Sequence, residues 1–486
     1  MRFVRTWTPG TVLAVLALSL VGCPKNPATG ERQLILVSER QMAEMGRQSA
    51  RQVEATIGLY PDSGLQAYVS HIGKQIAAKT ERPDLPWSFE VVDDPAVNAF
   101  ALPGGYIFVT RGILTYFTSE AELAAVLGHE SGHVTARHSA EQVSRAQFAQ
   151  LGLGVGSIFV PEIGQYGQLL SAGLGLLFLK FSRDDERQAD ALGFRYMTRA
   201  NYDPRQMVDV FTMLNRVSQA SGSSLPDWLS THPNPEDRRE RVQQEIDSAG
   251  IPDGEVDRNA YLRHVDGVVF GENPRNGYFQ GSLFLHPDLE FQLRFPDRWK
   301  TQNMPRAVVG VSPGQDAVLQ LTLSGAATPE EGAREFLSQE GIRSGGTTQR
   351  DVNGLPSVWA PFAAQTEQGP VRGLVAFVRH QDHVFQILGY TGADRIGSYE
   401  PVLRQAIGSF RRLTDREALN VQPRRVQLVT LDRSMTLAQF NERNPSTIPV
   451  ETLAVINGVE AGDMLEAGRI VKRVVGGRLP KTEAGN

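Results

Sequence analysis

Cysteine is almost absent from this chain of 486 residues, which contains a single one, Cys23. One thiol cannot form an intrachain disulfide, so the fold must draw its stability from core packing or from a bound metal. Neither sign of charge dominates, because 49 Lys and Arg face 54 Asp and Glu, for a formal net charge of −5. No basic block stands out along the chain, and we therefore expect no nucleic-acid partner.

Long hydrophobic runs are missing as well. The apolar run near the N-terminus, from Thr11 to Val21, is shorter than the roughly 20 residues that a membrane-spanning helix needs. It follows Arg2 and Arg5 and ends just before Cys23, a pattern typical of a secretory signal peptide. A membrane-spanning anchor is the alternative. The sequence therefore predicts export, with residues 1–22 as a signal peptide that is removed.

The residues around Cys23 say more about the exported form. Leu20, Val21 and Gly22 precede this cysteine, an order that resembles the lipobox of bacterial lipoproteins. The resemblance implies that the Cys23 thiol carries a lipid, which anchors a protein without spanning the bilayer. Pro24 after the cysteine, in place of Asp, implies sorting to the outer membrane. We therefore expect a periplasmic lipoprotein in the inner leaflet of the outer membrane.

The chain is too long for one hydrophobic core, since cores stop growing beyond roughly 250 to 300 residues. Before about residue 265 the apolar residues recur mostly at helical spacing, with strand patterns near Trp87 and after Gly105. Later the pattern alternates with a period of two, typical of strands. We expect a multidomain fold: a mainly α domain with a small sheet over 23–265, an α/β domain over 280–413 and a small α+β module over 426–476.

An apolar, glycine-rich stretch runs from Gly152 to Phe181. Pro161, Glu162 and Gln165 interrupt it, which leaves the uninterrupted part too short to cross a membrane. We expect a helix that is buried or that covers the site. A segment that dips into the membrane is the alternative.

The candidate chemistry begins with the run from His129 to His133, which reads His-Glu-Ser-Gly-His. On a helix this spacing places both imidazoles one turn apart on the same face. Imidazole suits Zn²⁺, and a catalytic zinc takes three protein ligands and leaves a fourth position for water. Glu130 is then placed to take the proton of that water as it attacks a peptide carbonyl. A surface helix that happens to hold two histidines is the alternative.

A third ligand is offered by the run from Glu186 to Asp190, which reads Glu-Arg-Gln-Ala-Asp on a predicted helix. Glu186 would complete the set with His129 and His133 around one zinc per chain. Asp190 lies four residues on, shares the helical face, and is placed to accept the other N–H of a ligand histidine. Taken alone, such a segment is also typical of an exposed charged face. Its combination with the histidine pair favours a metal site.

Five motifs in this order are similar to those of the HtpX/BepA-type gluzincin metallopeptidases. They are Asn26 to Gly30, Asn98 to Gly105, His129 to His133 with Arg137 and His138, Glu186 to Asp190, and Thr231-His232-Pro233 followed by Arg238. They span residues 26 to about 240, half of the chain. The resemblance implies that the mainly α domain over 23–265 is a zincin-like metallopeptidase domain, and that the protein is a zinc endopeptidase acting on misfolded or misassembled envelope proteins.

The resemblance also implies roles for residues outside the three ligands. It places His232 near the metal, where the imidazole stabilises the oxyanion or occupies the open zinc position at rest. A histidine that only shapes its loop is the alternative. Arg238 is expected to hold that loop through an ion pair with an acid such as Asp190.

Substrate binding is expected at the strand that follows the two glycines. The resemblance implies that it acts as an edge with which an extended substrate pairs through its backbone, so the candidate contacts are Gly105, Tyr106, Ile107 and Phe108. An ordinary capped edge strand is the alternative. His138 stands about 140° round a regular helix from His133 and is not expected to bind the same metal.

The C-terminal half carries two fainter likenesses. The turn from Phe295 to Trp299 and the order of elements resemble a Mog/PsbP-type α/β/α domain, which implies an interaction or substrate-positioning module. The segment with Met435, Asn457-Gly458 and Ile470 looks like a LysM module, a class that binds peptidoglycan sugars. Expected partners are protein or peptide substrates, outer-membrane assembly machinery or peptidoglycan. A quality-control chaperone or scaffold with latent protease activity and a peptidoglycan-directed hydrolase remain as alternatives.

Overall fold

The structure is a computed structural model that describes residues 25–33, 35–153, 180–220, 228, 231–232, 235–250, 253–366, 369–477 and 479. The predicted signal peptide and Cys23 lie outside these residues. So does most of the apolar stretch predicted to cover the site. Among the described helices, none combines the length and the apolar composition that crossing a membrane requires.

The chain divides into two compact units. One comprises the residues up to Val268 together with Val426–Val474, and the other comprises Val269–Arg425 with the residues after Val474. The prediction of a multidomain chain with helices and several sheets is confirmed at this level. The C-terminal segment 426–474, whose sequence looks like a module of its own, packs within the first unit.

The first unit is mainly helical. Its helices before the second unit are α1 (Glu39–Thr56), α2 (Ser63–Ala77), α3 (Arg111–Tyr116), α4 (Glu120–Thr135), α5 (His138–Leu153), α6 (Arg183–Arg199), α7 (Arg205–Ala220), α8 (Pro235–Ala249) and α9 (Arg258–Val265). Serine hydroxyls cap several helix starts: Ser119 accepts from the backbone N–H of Glu122 at the start of α4, and Ser182 does the same for α6. Polar caps of this kind define where the two helices that carry the candidate ligands begin.

Three strands form the sheet of this unit: β1 (Ser88–Val92), β2 (Ala99–Leu102) and β3 (Tyr106–Thr110), in the order β1-β3-β2. Strand β3 is therefore central, parallel to β1 and antiparallel to β2. The prediction of an edge strand at Gly105, Tyr106, Ile107 and Phe108 is wrong, because strands flank this backbone on both sides. The Gly105 carbonyl is also occupied, since it accepts from the Ser88 N–H at 2.9 Å.

Helices α4 and α6 cross at unusually close range because glycines face each other there. A Cβ added to Gly132 would lie 2.9 Å from the Ala189 carbonyl oxygen, and one added to Gly193 would lie 2.8 Å from the His129 nitrogen. Contacts this short leave no room for a side chain, so only glycine permits the crossing. The residues of α4 from Ala121 to Thr135 are all buried. The two helices that carry the candidate ligands thus approach as closely as two backbones can.

The second unit is built on antiparallel strands. They are β4 (Tyr278–Gln280), β5 (Leu283–His286), β6 (Phe291–Arg294), β7 (Lys300–Met304), β8 (Ala307–Val311), β9 (Ala317–Ser324), β10 (Ile342–Ser344), β11 (Thr348–Gln349), β12 (Ser357–Thr366), β13 (Gly369–His380), β14 (His383–Gly392) and β15 (Arg411–Arg412). The larger sheet runs β10-β12-β13-β14-β9-β8-β7, with β11 also paired to β12, and the smaller runs β15-β6-β5-β4.

Two apolar clusters pack on this larger sheet. One includes Phe336 of helix α10 (Pro329–Leu337) with Phe377 of β13. The other joins Phe385 of β14 to Leu403 of helix α11 (Ile396–Gly408) and to Phe291 of the smaller sheet. A short helix, α12 (Arg416–Leu419), follows. This part of the chain therefore has the buried cores of a folded domain.

The chain then returns to the first unit. Its last elements are β16 (Arg425–Thr430), β17 (Met435–Thr436), α13 (Leu437–Arg443), α14 (Val450–Asn457), β18 (Met464–Leu465) and β19 (Ile470–Val475). Strand β16 pairs with β19, and β17 pairs with β18.

Candidate metal centre

Four side chains that are distant in sequence converge inside the first unit. They are His129 and His133 of α4, Glu186 of α6, and His232, and each offers a ligand atom within 4.8 Å of the others. Each of the four residues is at most 2% exposed. The structure thus brings together the three predicted ligands and the fourth residue expected near them.

The separations among the three predicted ligands suit one small ion. His129 Nε2 lies 3.0 Å from His133 Nε2, His133 Nε2 lies 3.4 Å from Glu186 Oε1, and His129 Nε2 lies 3.7 Å from Glu186 Oε2. Ligand atoms about 2.0–2.1 Å from a tetrahedral zinc stand roughly 3.3 Å apart. Two imidazoles and a carboxylate at these distances are a donor set that fits Zn²⁺.

Glu130 lies beside this set with its carboxylate enclosed. The residue is 0% exposed, and among the described residues neither carboxylate oxygen has a hydrogen-bond partner. Burial raises the pKa of Glu130 to about 8. A buried carboxyl group without a partner is costly for a fold and is typical of a functional site. The predicted general base is therefore present, next to the ligands and able to take up a proton near neutral pH.

The imidazole of His232 lies within hydrogen-bond distance of two candidate ligands. Its Nδ1 is 2.9 Å from Glu186 Oε1 and 3.3 Å from His129 Nε2, and its Nε2 is 3.7 Å from Glu130 Oε1. The ring stacks on Trp228 at 4.7 Å between centroids. On the other side, Phe181 stacks on His133 at 3.9 Å. Aromatic rings therefore enclose the histidines and limit the access of water to them.

The side chains of Asp190 and Arg238 contact the candidate metal ligands. Asp190 Oδ1 lies 3.0 Å from His129 Nδ1, on the side of the ring away from the other ligands. The Arg238 guanidinium contacts both Asp190 and Glu186, with Nη1 2.8 Å from Glu186 Oε2. It also lies over the rings of Phe211 and Trp228, at 4.6 and 4.7 Å from their centroids. One buried cation thus neutralises two buried carboxylates.

The charges of this cluster follow from burial and from Arg238. Burial, followed by the positive charge of Arg238, lowers the pKa of His129 to about 3, which keeps the ring neutral as a metal ligand must be. Burial alone would raise the pKa of Asp190, but Arg238 and His129 lower it to about 2. Burial likewise opposes ionisation of Glu186, yet His232 and Arg238 hold its pKa well below the usual value. Asp190 and Glu186 are therefore both ionised, Asp190 to accept a hydrogen bond from His129 and Glu186 to bind a metal.

His138 does contact a candidate ligand, which the sequence did not reveal. Its Nδ1 lies 2.9 Å from His133 Nδ1, and its Nε2 lies 3.3 Å from Gln188 Oε1. The angle expected for a continuous helix does not apply, because Arg137 adopts a φ of 59° and the chain turns there between α4 and α5. His138 therefore orients the His133 ring by contacting His133 Nδ1, the nitrogen that does not face the other ligands, and is not itself a ligand.

The N-terminal motif from Asn26 to Gly30 also acquires a place. Asn26 Nδ2 donates to the Ala136 carbonyl oxygen at 3.1 Å, and Gln33 Nε2 donates to the same oxygen at 2.7 Å. Asn26 Oδ1 meanwhile accepts from the backbone N–H groups of Ala28 and Thr29. Because the last carbonyls of a helix lack partners within it, this turn caps the C-terminal end of α4. The motif was visible in the sequence, but its target was not.

One solved structure is similar to part of the chain. A cyanobacterial PsbP protein from Synechocystis matches with a TM-score of 0.23 and 14% identity, covering 28% of this chain and 95% of that one. At this level the likeness carries no assignment of the fold. The Mog/PsbP character of 280–413 and the LysM character of 426–476 therefore stay predictions.

Curated proteins with similar sequences are metalloendopeptidases. The mitochondrial metalloendopeptidase OMA1 of Arabidopsis thaliana is 34% identical over 46% of this chain and 44% of its own length, and that of Schizosaccharomyces pombe is 35% identical over 38% and 54%. The beta-barrel assembly-enhancing protease of Escherichia coli strain K12 is 30% identical over 41% and 42%. The chain thus spans about half the length of the relatives it matches.

A family model matches as well, that of Peptidase family M48, over residues 63–246. This range contains α4, α6 and all four converging side chains. The part of the chain that gathers the candidate metal ligands is therefore the part that matches Peptidase family M48.

Proposed function

We propose that this protein is a zinc-dependent endopeptidase in which His129, His133 and Glu186 bind the metal and Glu130 is the general base. The observation that carries the proposal is the spacing of the three ligand atoms, which is that of a tetrahedral zinc site with a partnerless buried carboxylate beside it. The metalloendopeptidase names of the similar proteins support the same reaction class.

Each residue then has one task. A bound zinc would lower the pKa of a water molecule and polarise the substrate carbonyl. Glu130 accepts the proton of the attacking water and delivers it to the leaving amine. Asp190 accepts a hydrogen bond from His129 Nδ1, which fixes the tautomer and leaves Nε2 for the metal. Arg238 keeps Asp190 ionised for this purpose.

The position of His232 favours a resting state of low activity. Its Nδ1 lies 2.9 Å from Glu186 Oε1 and 3.3 Å from His129 Nε2, and these distances do not exceed the 3.7 Å between His129 Nε2 and Glu186 Oε2. His232 therefore lies where a fourth ligand or the substrate carbonyl would stand. We propose that His232 closes the site at rest and donates to the oxyanion once substrate has entered. This is the latent form of the same peptidase, and it accommodates a second role as a quality-control scaffold.

An extended substrate is proposed to pair with β2. The order β1-β3-β2 puts β2 at the edge of the sheet among the described strands, and β2 contacts helix α4. Backbone pairing at Ala99–Leu102 would select unfolded segments of many sequences, since main-chain hydrogen bonds supply the affinity. We propose misfolded or misassembled envelope proteins as substrates, met by an enzyme that Cys23 anchors in the periplasm.

Replacement of the base tests the proposal. Glu130→Gln keeps the shape of the side chain, so purified protein should retain zinc while casein cleavage falls about 10²- to 10⁴-fold. The matched control is Glu44→Gln, since the Glu44 side chain on α1 is 45% exposed, and it should cleave like the wild type. Undiminished cleavage by Glu130→Gln would remove Glu130 from the mechanism.

A second variant separates the two roles of His232. If the ring closes the site at rest, His232→Ala should raise the cleavage of a small peptide, which needs little oxyanion assistance beyond the metal. If it serves the transition state alone, the same variant should lower kcat and leave KM nearly unchanged. Zinc content should be measured alongside, because the reading holds only for variants that keep the metal.

A further inference from the structure

The strand nearest the C-terminus sends a lysine into the core of the peptidase-like unit. Lys472 of β19 is 0% exposed, and its Nζ donates to the backbone carbonyl oxygens of Thr115 at 2.9 Å and of Phe117 at 2.6 Å. These two residues lie at the end of α3 and in the connection to α4. A residue more than three hundred positions away in sequence therefore binds the segment that leads into the helix of the metal ligands.

This connection has an unusual number of side-chain partners. Carbonyl groups at the end of a helix lack partners within it and must find them elsewhere. The Tyr261 hydroxyl donates to the Leu114 carbonyl, and Arg258 donates to the Thr118 carbonyl at 3.2 Å. Arg258 also donates to the Ile470 carbonyl of β19 at 3.2 Å. Lys472 completes the set, so that α9 and β19 together fix the path of the chain from α3 to α4.

Loss of water destabilises a buried ammonium group, and the negative charge that acts on Lys472 is that of Glu122 in the first turn of α4. Its carboxylate accepts from the backbone N–H of Thr118 and from the Thr118 hydroxyl at 2.8 Å, and the residue is 5% exposed. Burial raises the pKa of Glu122, and Lys472 opposes that rise. Burial lowers the pKa of Lys472, and Glu122 opposes that fall. The other charged groups that act on the pair are Arg258 on Lys472 and Asp209 on Glu122.

The rest of the C-terminal segment holds Lys472 in place. The Asn457 side chain brackets its backbone, accepting from the Lys472 N–H at 2.8 Å and donating to its carbonyl at 2.9 Å. Just after α14, the Val459 carbonyl accepts from Arg216 of α7 at 2.9 Å. A Cβ on Gly458 would lie 3.2 Å from the Thr118 methyl group, so the two segments are in close contact. The segment thus contacts α7 and the connection that leads into α4.

We propose that Lys472 is a positioning residue for the helix of the metal ligands, and that residues 426–474 form a structural part of the peptidase rather than a freely attached glycan-binding module. The proposal rests on the proposed function in one respect, which is that α4 carries the metal ligands. His129 stands two turns beyond Glu122 on the same buried helix, so a shift at the start of α4 moves the ligands with it.

The test compares Lys472→Met, Glu122→Gln, the double variant, and Arg473→Met as a control in the full-length protein. Arg473 is the next residue, and its guanidinium contacts the side chain of Gln427 on the exposed side of the module. Urea unfolding is measured without metal, so the result does not depend on zinc. Lys472→Met leaves the buried Thr115 and Phe117 carbonyl oxygens without their Lys472 donor and Glu122 without the Lys472 charge, and should raise the unfolding equilibrium constant on the order of 10²- to 10³-fold. Arg473→Met should change it less than about fivefold.

The pH dependence distinguishes this pair from simple packing. In Lys472→Met the folded pKa of Glu122 rises above its wild-type value of about 7, so stability falls further behind the wild type as pH rises above about 7. In Glu122→Gln the folded pKa of Lys472 falls below its wild-type value of about 7, so the deficit grows as pH falls below about 7. The double variant should lose both slopes. Loss of a methylene contact would produce neither.

Two outcomes decide the matter. Opposite pH slopes in the single variants, with recovery in the double variant, support the proposal, and a Lys472→Met protein that folds only together with Glu122→Gln does so too. Lys472→Met that unfolds like Arg473→Met at every pH overturns it. In zinc-loaded protein, a kcat lower by about tenfold to a hundredfold with unchanged KM is expected for Lys472→Met. If the wild type cleaves nothing, the proposed function fails while the unfolding result stands.

Discussion

The Arg238 guanidinium binds the Asp190 carboxylate through two hydrogen bonds, Nε to Oδ2 at 2.9 Å and Nη2 to Oδ1 at 2.6 Å. This pair joins α8 to α6 directly behind His129. Bidentate pairs of this geometry hold both partners in fixed orientation, which is why the carboxylate can in turn fix the imidazole. The pair therefore links the loop that carries His232 to the ligand on α4.

Removal of this cation should be costly. Arg238→Met leaves Asp190 and Glu186 buried without a positive partner in the metal-free protein, which should lower the free energy of unfolding by about 3–5 kcal/mol. The measurement is urea unfolding in the presence of a chelator. Arg239→Met is the matched control, because the neighbouring side chain is 39% exposed and pairs with Glu236 in its own helix. Equal losses in the two variants would contradict the role assigned to Arg238.

The cap at the C-terminal end of α4 gives a second prediction. Asn26→Ala and Gln33→Ala each remove one donor to the Ala136 carbonyl oxygen, and the double variant removes both. A buried carbonyl left without a partner costs about 1–3 kcal/mol, so the double variant should lose more than either single one. Thermal unfolding measures the loss. The control is Gln48→Ala, because Gln48 is an exposed residue of α1. A double variant as stable as this control would remove the capping role.

The close crossing of α4 and α6 gives a third. Gly132→Ala places a Cβ 2.9 Å from the Ala189 carbonyl oxygen, which must push the helices apart. We expect a loss of about 1–3 kcal/mol of stability and weaker zinc binding, because Glu186 moves away from the histidines. Gly397→Ala on α11 meets no atom within 4 Å and should be neutral or stabilising. Unchanged zinc affinity in Gly132→Ala would show that the crossing does not set the site.

The local part of this site could be predicted from the sequence because helical geometry is short-range. A spacing of four residues places His129 beside His133, and the same spacing places Asp190 beside Glu186. The structure then brings the two pairs together. The family resemblance contributed His232 and Arg238, which no periodicity would have selected.

What the sequence did not reveal depends on contacts between distant residues. The family resemblance implied that strand β3 is an edge, and its parallel neighbour β1 leaves no local signal of pairing that would have corrected this. His138 was placed by the angle of a continuous helix, whereas the chain turns at Arg137. Lys472 and Asn26 act on the two ends of α4 from opposite ends of the chain. Nothing in their own neighbourhoods indicates those targets.

The zinc content of purified wild-type protein beside Glu186→Ala tests the central claim most directly. Asp184→Ala is the control, because Asp184 lies on the same helix with its side chain 70% exposed. We predict about one zinc per chain in the wild type and in Asp184→Ala, and an affinity for zinc reduced by more than about 100-fold in Glu186→Ala. Equal zinc in all three proteins, or none in the wild type, would contradict a site built by His129, His133 and Glu186.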